Sequence, residues 1–225
     1  MPKGKGWVKR FEKGVIVIHW LYAAAFLTLV ITGIGFEFKA LGFLMGPWAR
    51  LAHRIAAPVL VTAPWVYLTV CGKSGWVHLK DAFHWTRDDL LWLWRAPLHY
   101  MLGKGDMPPA GMFNAGQKLN YLTVCFTNVA FTITGVILWF GRSRMAFAQR
   151  DMFRTAAIVH QAAFWLAITM FSLHLYLALL HPFTKRAVTA MINGYVTRSY
   201  AQLHHGRWLA KVEASDVAAA QHPGP

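Results

Sequence analysis

The 225-residue sequence is 56% hydrophobic and 15% aromatic but only 14% charged, well under the roughly one quarter charged residues of a soluble domain. Its formal net charge of +14 comes from basic residues that flank long apolar stretches instead of interleaving along one soluble face, which is a membrane-topology pattern and argues against nucleic-acid binding. Two cysteines, Cys71 and Cys125, with no CxxC and no CxxCH, exclude an iron–sulfur cluster held by this chain and covalent c-type haem, and argue against structural zinc.

The first apolar span is predicted from about Gly14 to Phe36. Lys3, Lys5, Lys9, Arg10 and Lys13 precede it, as in a signal peptide. Its apolar run is longer than the roughly 7–15 residues of a signal core and contains a histidine, so it reads as a retained helix. The second span, about Arg50 to Gly72, contains Pro58 and Pro64; such breaks are tolerated where neighbouring helices satisfy the freed backbone groups. A 44-residue connection, Lys73 to Gly116, follows. Its DDLLWLWRAPLHYML stretch suits either a short helix in the headgroup region, where Trp is favoured, or a buried loop helix.

The third span is predicted from about Gln117 to Phe140 and the fourth from about Arg154 to His181, with Pro182 helping to stop it. Each span is near or above the roughly 20 residues needed to cross a bilayer. The basic tail thins to an Ala- and Pro-rich end, expected to be disordered over 214–225. The expected fold is therefore an all-α membrane protein, a four-transmembrane-helix bundle occupying residues 1–213, without internal repeat or second domain. Sixteen of the 23 Lys and Arg fall on the amino end, the 73–118 connection and the tail, so the positive-inside rule puts both termini in the cytoplasm.

Eleven histidines are present, and four lie inside spans: His19, His53, His160 and His174. Ionisable groups in hydrocarbon are costly and usually functional; singly, each could also be a satisfied interhelical hydrogen bond. Their depths suggest more. His19 lies near the amino-terminal end of span one, and His53 near the opposite face in span two. His160 and His174 are separated by about 21 Å along span four, and their 14 residues fall about 40° short of four full turns, so they share one face. The four sort into His53 with His160 and His19 with His174. A haem iron takes two axial imidazoles from opposite sides, and facing helices supply them, so two stacked b haems account for all four.

His181, at the helix exit, is a weaker candidate. His78, His84, His99, His204, His205 and His222 are expected at the surface. Gly33, Gly35 and Gly135 suit close helix packing or room for a flat macrocycle. Arg54 and Arg154 suit haem propionates or an ordinary interfacial role.

The HW at 19–20, the RLAH ending at His53, FNAGQK at 113–118, VHQAA…SLHLYLALL with its 14-residue interval and HHGRW at 204–208 together resemble the gamma subunit, the cytochrome b, of respiratory membrane-bound formate dehydrogenases. The resemblance runs from about Phe11 to Val212 and is poor in the connection. It implies a bacterial inner-membrane subunit that carries two haem b, ligated by His19, His53, His160 and His174, and reduces a quinone, menaquinone or ubiquinone. Quinone contact is implied at Asn114 and Gly116, with Gln117 beside them and His174 nearby. It further implies an iron–sulfur beta subunit as electron donor and an alpha subunit that oxidises formate at molybdenum or tungsten. The alternatives are the cytochrome b of a membrane-bound nickel–iron hydrogenase, or a transporter or bare membrane anchor without redox function.

Overall fold

The computed structural model describes residues 6–38, 41–42, 46–144 and 150–221. The chain runs β1 (Trp7–Lys9), α1 (Lys13–Glu37), α2 (Pro47–Val70), α3 (Gly72–Phe83), α4 (Arg87–Leu102), α5 (Ala115–Arg144) and α6 (Arg150–Leu175). One π-helical turn, Tyr176–Leu180, extends α6; a 3₁₀ turn, α7 (Val188–Asn193), β2 (Tyr195–Thr197), α8 (Arg198–His204) and α9 (Gly206–Gln221) follow. Four helical stretches are long and apolar enough to cross a membrane: Lys13–Gly35, Pro47–Val70, Ala115–Phe140 and Arg150–Leu180. The protein is thus an all-α membrane protein, its only departure among the described residues being the two short strands.

Two compact units divide the chain, one of Val17–Gly72 with Thr123–His174, the other of Met1–Ile16, Lys73–Leu122 and Leu175–Pro225. In the first, burial is inverted relative to a soluble protein. Many of the buried residues are small, including Ala25, Ala56, Ala63, Ala156, Ala163 and Ala167, while Ile55, Trp65, Phe126 and Ile158 are exposed. Small residues let membrane helices approach closely, and large apolar side chains suit a hydrocarbon solvent. Pro64 in α2 leaves the carbonyl of Leu60, one turn earlier, without its helical N–H. Asn128 of α5 donates its side-chain amide to that oxygen at 3.1 Å, so a neighbouring helix satisfies the freed group.

The second unit contains the connection and the tail. β1 and β2 pair antiparallel, Trp7 opposite Thr197 and Lys9 opposite Tyr195. Gly194, with φ of +88°, caps α7 and accepts the backbone N–H groups of Arg10 and Phe11; a Cβ there would lie 2.7 Å from the Phe11 carbonyl oxygen, so only glycine fits. The connection contains two helices where the sequence suggests one. α3 begins at Gly72, whose positive φ breaks it from α2. α4 covers the Trp-rich stretch, buries Asp89 and Trp92, and leaves Leu90, Trp94 and Met101 exposed. α9 carries helix through residues 214–221, where the sequence suggests a disordered tail; the remainder of that tail, with His222, lies outside the described residues.

Candidate haem sites and the turn before the third span

Within the helical unit, α1 and α6 bring His19 and His174 together with ring centroids 6.4 Å apart and planes inclined by 55°. The Nδ1 of His19 is buried without a hydrogen-bond partner. His53 of α2 and His160 of α6 lie close enough for their charges to interact. Each is gripped from a different helix: Thr32 Oγ1 of α1 lies 2.8 Å from His53 Nδ1, and Thr134 Oγ1 of α5 lies 2.8 Å from His160 Nδ1. Phe131 packs against the His160 ring at 5.0 Å between centroids. The guanidinium of Arg54 stands over the Trp139 ring at 5.6 Å. A Cβ on Gly33 would make ordinary contact with Phe164, and one on Gly135 would meet open space, so close helix packing does not force either glycine.

In the second unit, Asn114 and Gln117 form a reciprocal cap on α5. The N–H of Gln117 donates to Asn114 Oδ1 at 2.9 Å, and that of Asn114 donates to Gln117 Oε1 at 3.1 Å, a capping box built from amides. The cap uses only the side-chain oxygens, so both NH₂ donors stay available. Gly116 faces Trp92: a Cβ there would lie 3.0 Å from the indole.

The segment entering this turn is held by side chains distant in sequence. Arg207 Nε donates to the Pro109 carbonyl at 2.7 Å, and His205 Nδ1–H to that of Gly111 at 3.1 Å. Arg10 Nη2 donates to Met112 at 2.6 Å, and the Asp81 carboxylate accepts the Phe113 N–H at 3.0 Å. One helical turn into α5, Lys118 Nζ pairs with Asp89 at 3.1 Å in a buried salt bridge. Burial would raise the Asp89 pKa, but hydrogen bonds from Thr86 and the Lys118 ammonium bring it below the usual carboxylate range.

Two histidines expected at the surface are buried. His78 sits between the rings of Phe11 and Phe113, and burial, reinforced by the charge of Arg10 and opposed by Asp81, lowers its pKa to about 4. His205 is 1% exposed, and burial followed by the Arg10 charge holds it well below its ordinary range. His181 is also buried and donates from Nε2 to the Tyr100 carbonyl at 3.0 Å, which engages the nitrogen a metal would take.

The sequence matches the prokaryotic cytochrome b561 family over residues 10–194. The chain belongs to that family. It is 26% identical over 224 residues to the formate dehydrogenase cytochrome b556(fdo) subunit of Escherichia coli K12, covering 97% of this chain and 100% of that one. It is 26% identical over 212 residues to the nitrate-inducible formate dehydrogenase cytochrome b556(Fdn) subunit of the same organism, covering 92% of each. The formate dehydrogenase cytochrome b556 subunit of Haemophilus influenzae is 24% identical over 210 residues, 88% of this chain and 82% of that one.

A cytochrome b561 implies haem b, and the histidine geometry fits it. Two imidazoles on one iron, with metal–nitrogen bonds of about 2.0 Å and about 1.2 Å from each nitrogen to its ring centre, would have centroids about 6.4 Å apart. The rings of His19 and His174 stand at 6.4 Å. The threonines beside His53 and His160, the clamps on residues 109–113 and the Trp92–Gly116 contact escaped the reading of the sequence.

Proposed function

We propose that this cytochrome b561 is the membrane cytochrome b subunit of a respiratory formate dehydrogenase. It passes electrons from an iron–sulfur beta subunit through two b haems to a quinone, while formate is oxidised in a molybdenum- or tungsten-containing alpha subunit. The observation that carries this reading is the 6.4 Å separation of the His19 and His174 rings, the spacing two axial ligands of one iron require. The assignment to formate rests on the printed names of the three relatives, matched over nearly their whole length.

His53 and His160 would hold one haem, and His19 and His174 the other. A haem held by either pair would supply one-electron exchange between ferric and ferrous iron. The helical unit contributes two imidazoles per pair from facing helices, His53 and His160 each fixed by a buried threonine hydroxyl. With both termini in the cytoplasm, as the Lys and Arg distribution favours, the His53–His160 pair lies toward the outer face of the bacterial inner membrane and His19–His174 toward the cytoplasm. The quinone is read to meet the turn of Asn114, Gly116 and Gln117, whose uncommitted amide NH₂ groups are hydrogen-bond donors for its carbonyl oxygens.

The test is the purified membrane complex. Formate should bring up the sharp visible bands of reduced b haem, and a quinone analogue should discharge them. A colourless preparation would contradict the redox reading. Reduction by hydrogen but not formate, with a co-eluting nickel–iron subunit, would move the chain to the hydrogenase branch.

A further inference from the structure

The two histidine pairs differ in what stands behind their rings. A threonine hydroxyl has one proton. Thr32 Oγ1 donates it to the Thr28 carbonyl at 2.7 Å, with a second contact to Leu29 at 3.2 Å. Thr134 Oγ1 donates to Ala130 at 2.6 Å. With that proton committed to the helix, each oxygen can only accept from the imidazole 2.8 Å away. The bonding proton therefore sits on Nδ1, and in a neutral ring the lone pair is on Nε2. That is the tautomer a metal requires, presented on the side of the ring away from the threonine. Thr32 and Thr134 are 1% and 4% exposed, so water does not compete for these bonds.

The arrangement arises twice, from α1 onto His53 and from α5 onto His160, and is missing at His19. There Nδ1 is buried with no partner. Among the described residues His174 likewise has no hydrogen-bonding side chain or carbonyl behind it. A hydrogen bond from Nδ1–H makes an imidazole a stronger donor to its metal, and partners of this kind are a lever by which a protein tunes a haem. A stronger donor favours ferric over ferrous iron and lowers the reduction potential.

We propose that Thr32 and Thr134 are positioning residues that fix the ligating tautomer of His53 and His160 and make the haem of that pair the lower-potential one. The proposal rests on the two-haem reading above. An electron arriving at the His53–His160 pair then moves downhill toward His19–His174, and the direction is built into two hydroxyls on neighbouring helices.

The experiment is a potentiometric titration of the purified holo-complex, followed by visible absorbance, in Thr32→Val, Thr134→Val and the corresponding Ser variants. His160→Ala identifies the component in question by its disappearance. Each Val variant should raise the midpoint of that component by at least a tenfold change in its ferric–ferrous equilibrium, about 59 mV for one electron, and leave the other component in place. The Ser variants, which keep the hydroxyl, should titrate like the wild type. An unchanged midpoint, a shift confined to the other component, or a Ser shift as large as that of Val would overturn the proposal. If a Val variant sheds haem, its Ser counterpart decides: native loading and potential support the hydroxyl's role, and loss of haem there as well overturns it. A wild-type complex with fewer than two b haems would instead overturn the reading on which the proposal stands.

Discussion

Asn114→Asp separates capping from quinone contact at a single side chain. The cap uses Asn114 Oδ1 as acceptor for the Gln117 N–H, and a carboxylate supplies that oxygen equally well. The return bond runs from the Asn114 backbone N–H to Gln117 and does not involve the mutated group. Asp and Asn are near equals as N-caps, and a negative charge at a helix N-terminus adds roughly 0.3–1 kcal/mol of stability. The fold should therefore keep or slightly gain stability, with both haems in place and reduced by formate as before. What disappears is the NH₂ donor, replaced by a charge that repels a developing quinol oxygen. Loss of one such hydrogen bond is worth about 0.5–1.5 kcal/mol, and the repulsion adds to it. Electron delivery to quinone should fall at least roughly tenfold, about 1.4 kcal/mol in activation free energy. The assay is quinone reduction by the purified complex, with haem reduction by formate measured in parallel. Normal quinone turnover in this variant would return Asn114 to a capping role alone and leave the quinone site elsewhere.

Asn128→Leu should cost about 1–3 kcal/mol by removing the partner of the Leu60 carbonyl and of the Tyr22 side chain, and the Leu60 share of that cost should vanish in a Pro64→Ala background, where residue 64 regains its N–H; a detergent-denaturation double-mutant cycle with no coupling would contradict the account of the Pro64 break. His78 has a folded pKa of about 4 against 6.5 when free, so the unfolded chain takes up the proton first: the contribution of about 3 kcal/mol is complete above about pH 6.5 and is lost as pH falls toward 4. Thermal melts of wild type and His78→Leu between pH 7 and 4 should diverge in slope accordingly, and parallel curves would refute the assignment. In proteoliposomes, formate and quinone should produce a potential that a voltage-sensitive dye registers, as inward electron flow with proton uptake from the cytoplasmic side requires; normal turnover with a silent dye would contradict that topology.

The four spans were legible because a bilayer imposes length and apolarity on contiguous sequence, and the 14-residue interval from His160 to His174 fixes a shared face by helix geometry alone. α3 was not: GKSGWVHLKDAF opens on a glycine, mixes charge with apolar residues, and owes its helix to packing of Gly75, His78 and Ala82. Nor were the threonine grips. Thr28, Thr62, Thr127 and Thr132 also bond to carbonyls of their own helices, so nothing in the sequence distinguishes Thr32 and Thr134 until another helix brings an imidazole to them. The burial of His78 and His205 depends on Phe11, Phe113 and the Gly111 carbonyl, partners far away in the chain. Gly116 carried a glycine signal whose cause, the Trp92 ring from α4, is equally non-local.

The central claim, two histidine pairs holding two separate haems, is tested most directly by spectra of four single variants of the purified complex. His53→Ala and His160→Ala should abolish one and the same spectral and redox component, and His19→Ala and His174→Ala should abolish the other. If His53→Ala and His19→Ala removed the same component, or all four variants kept both, the pairing would be wrong.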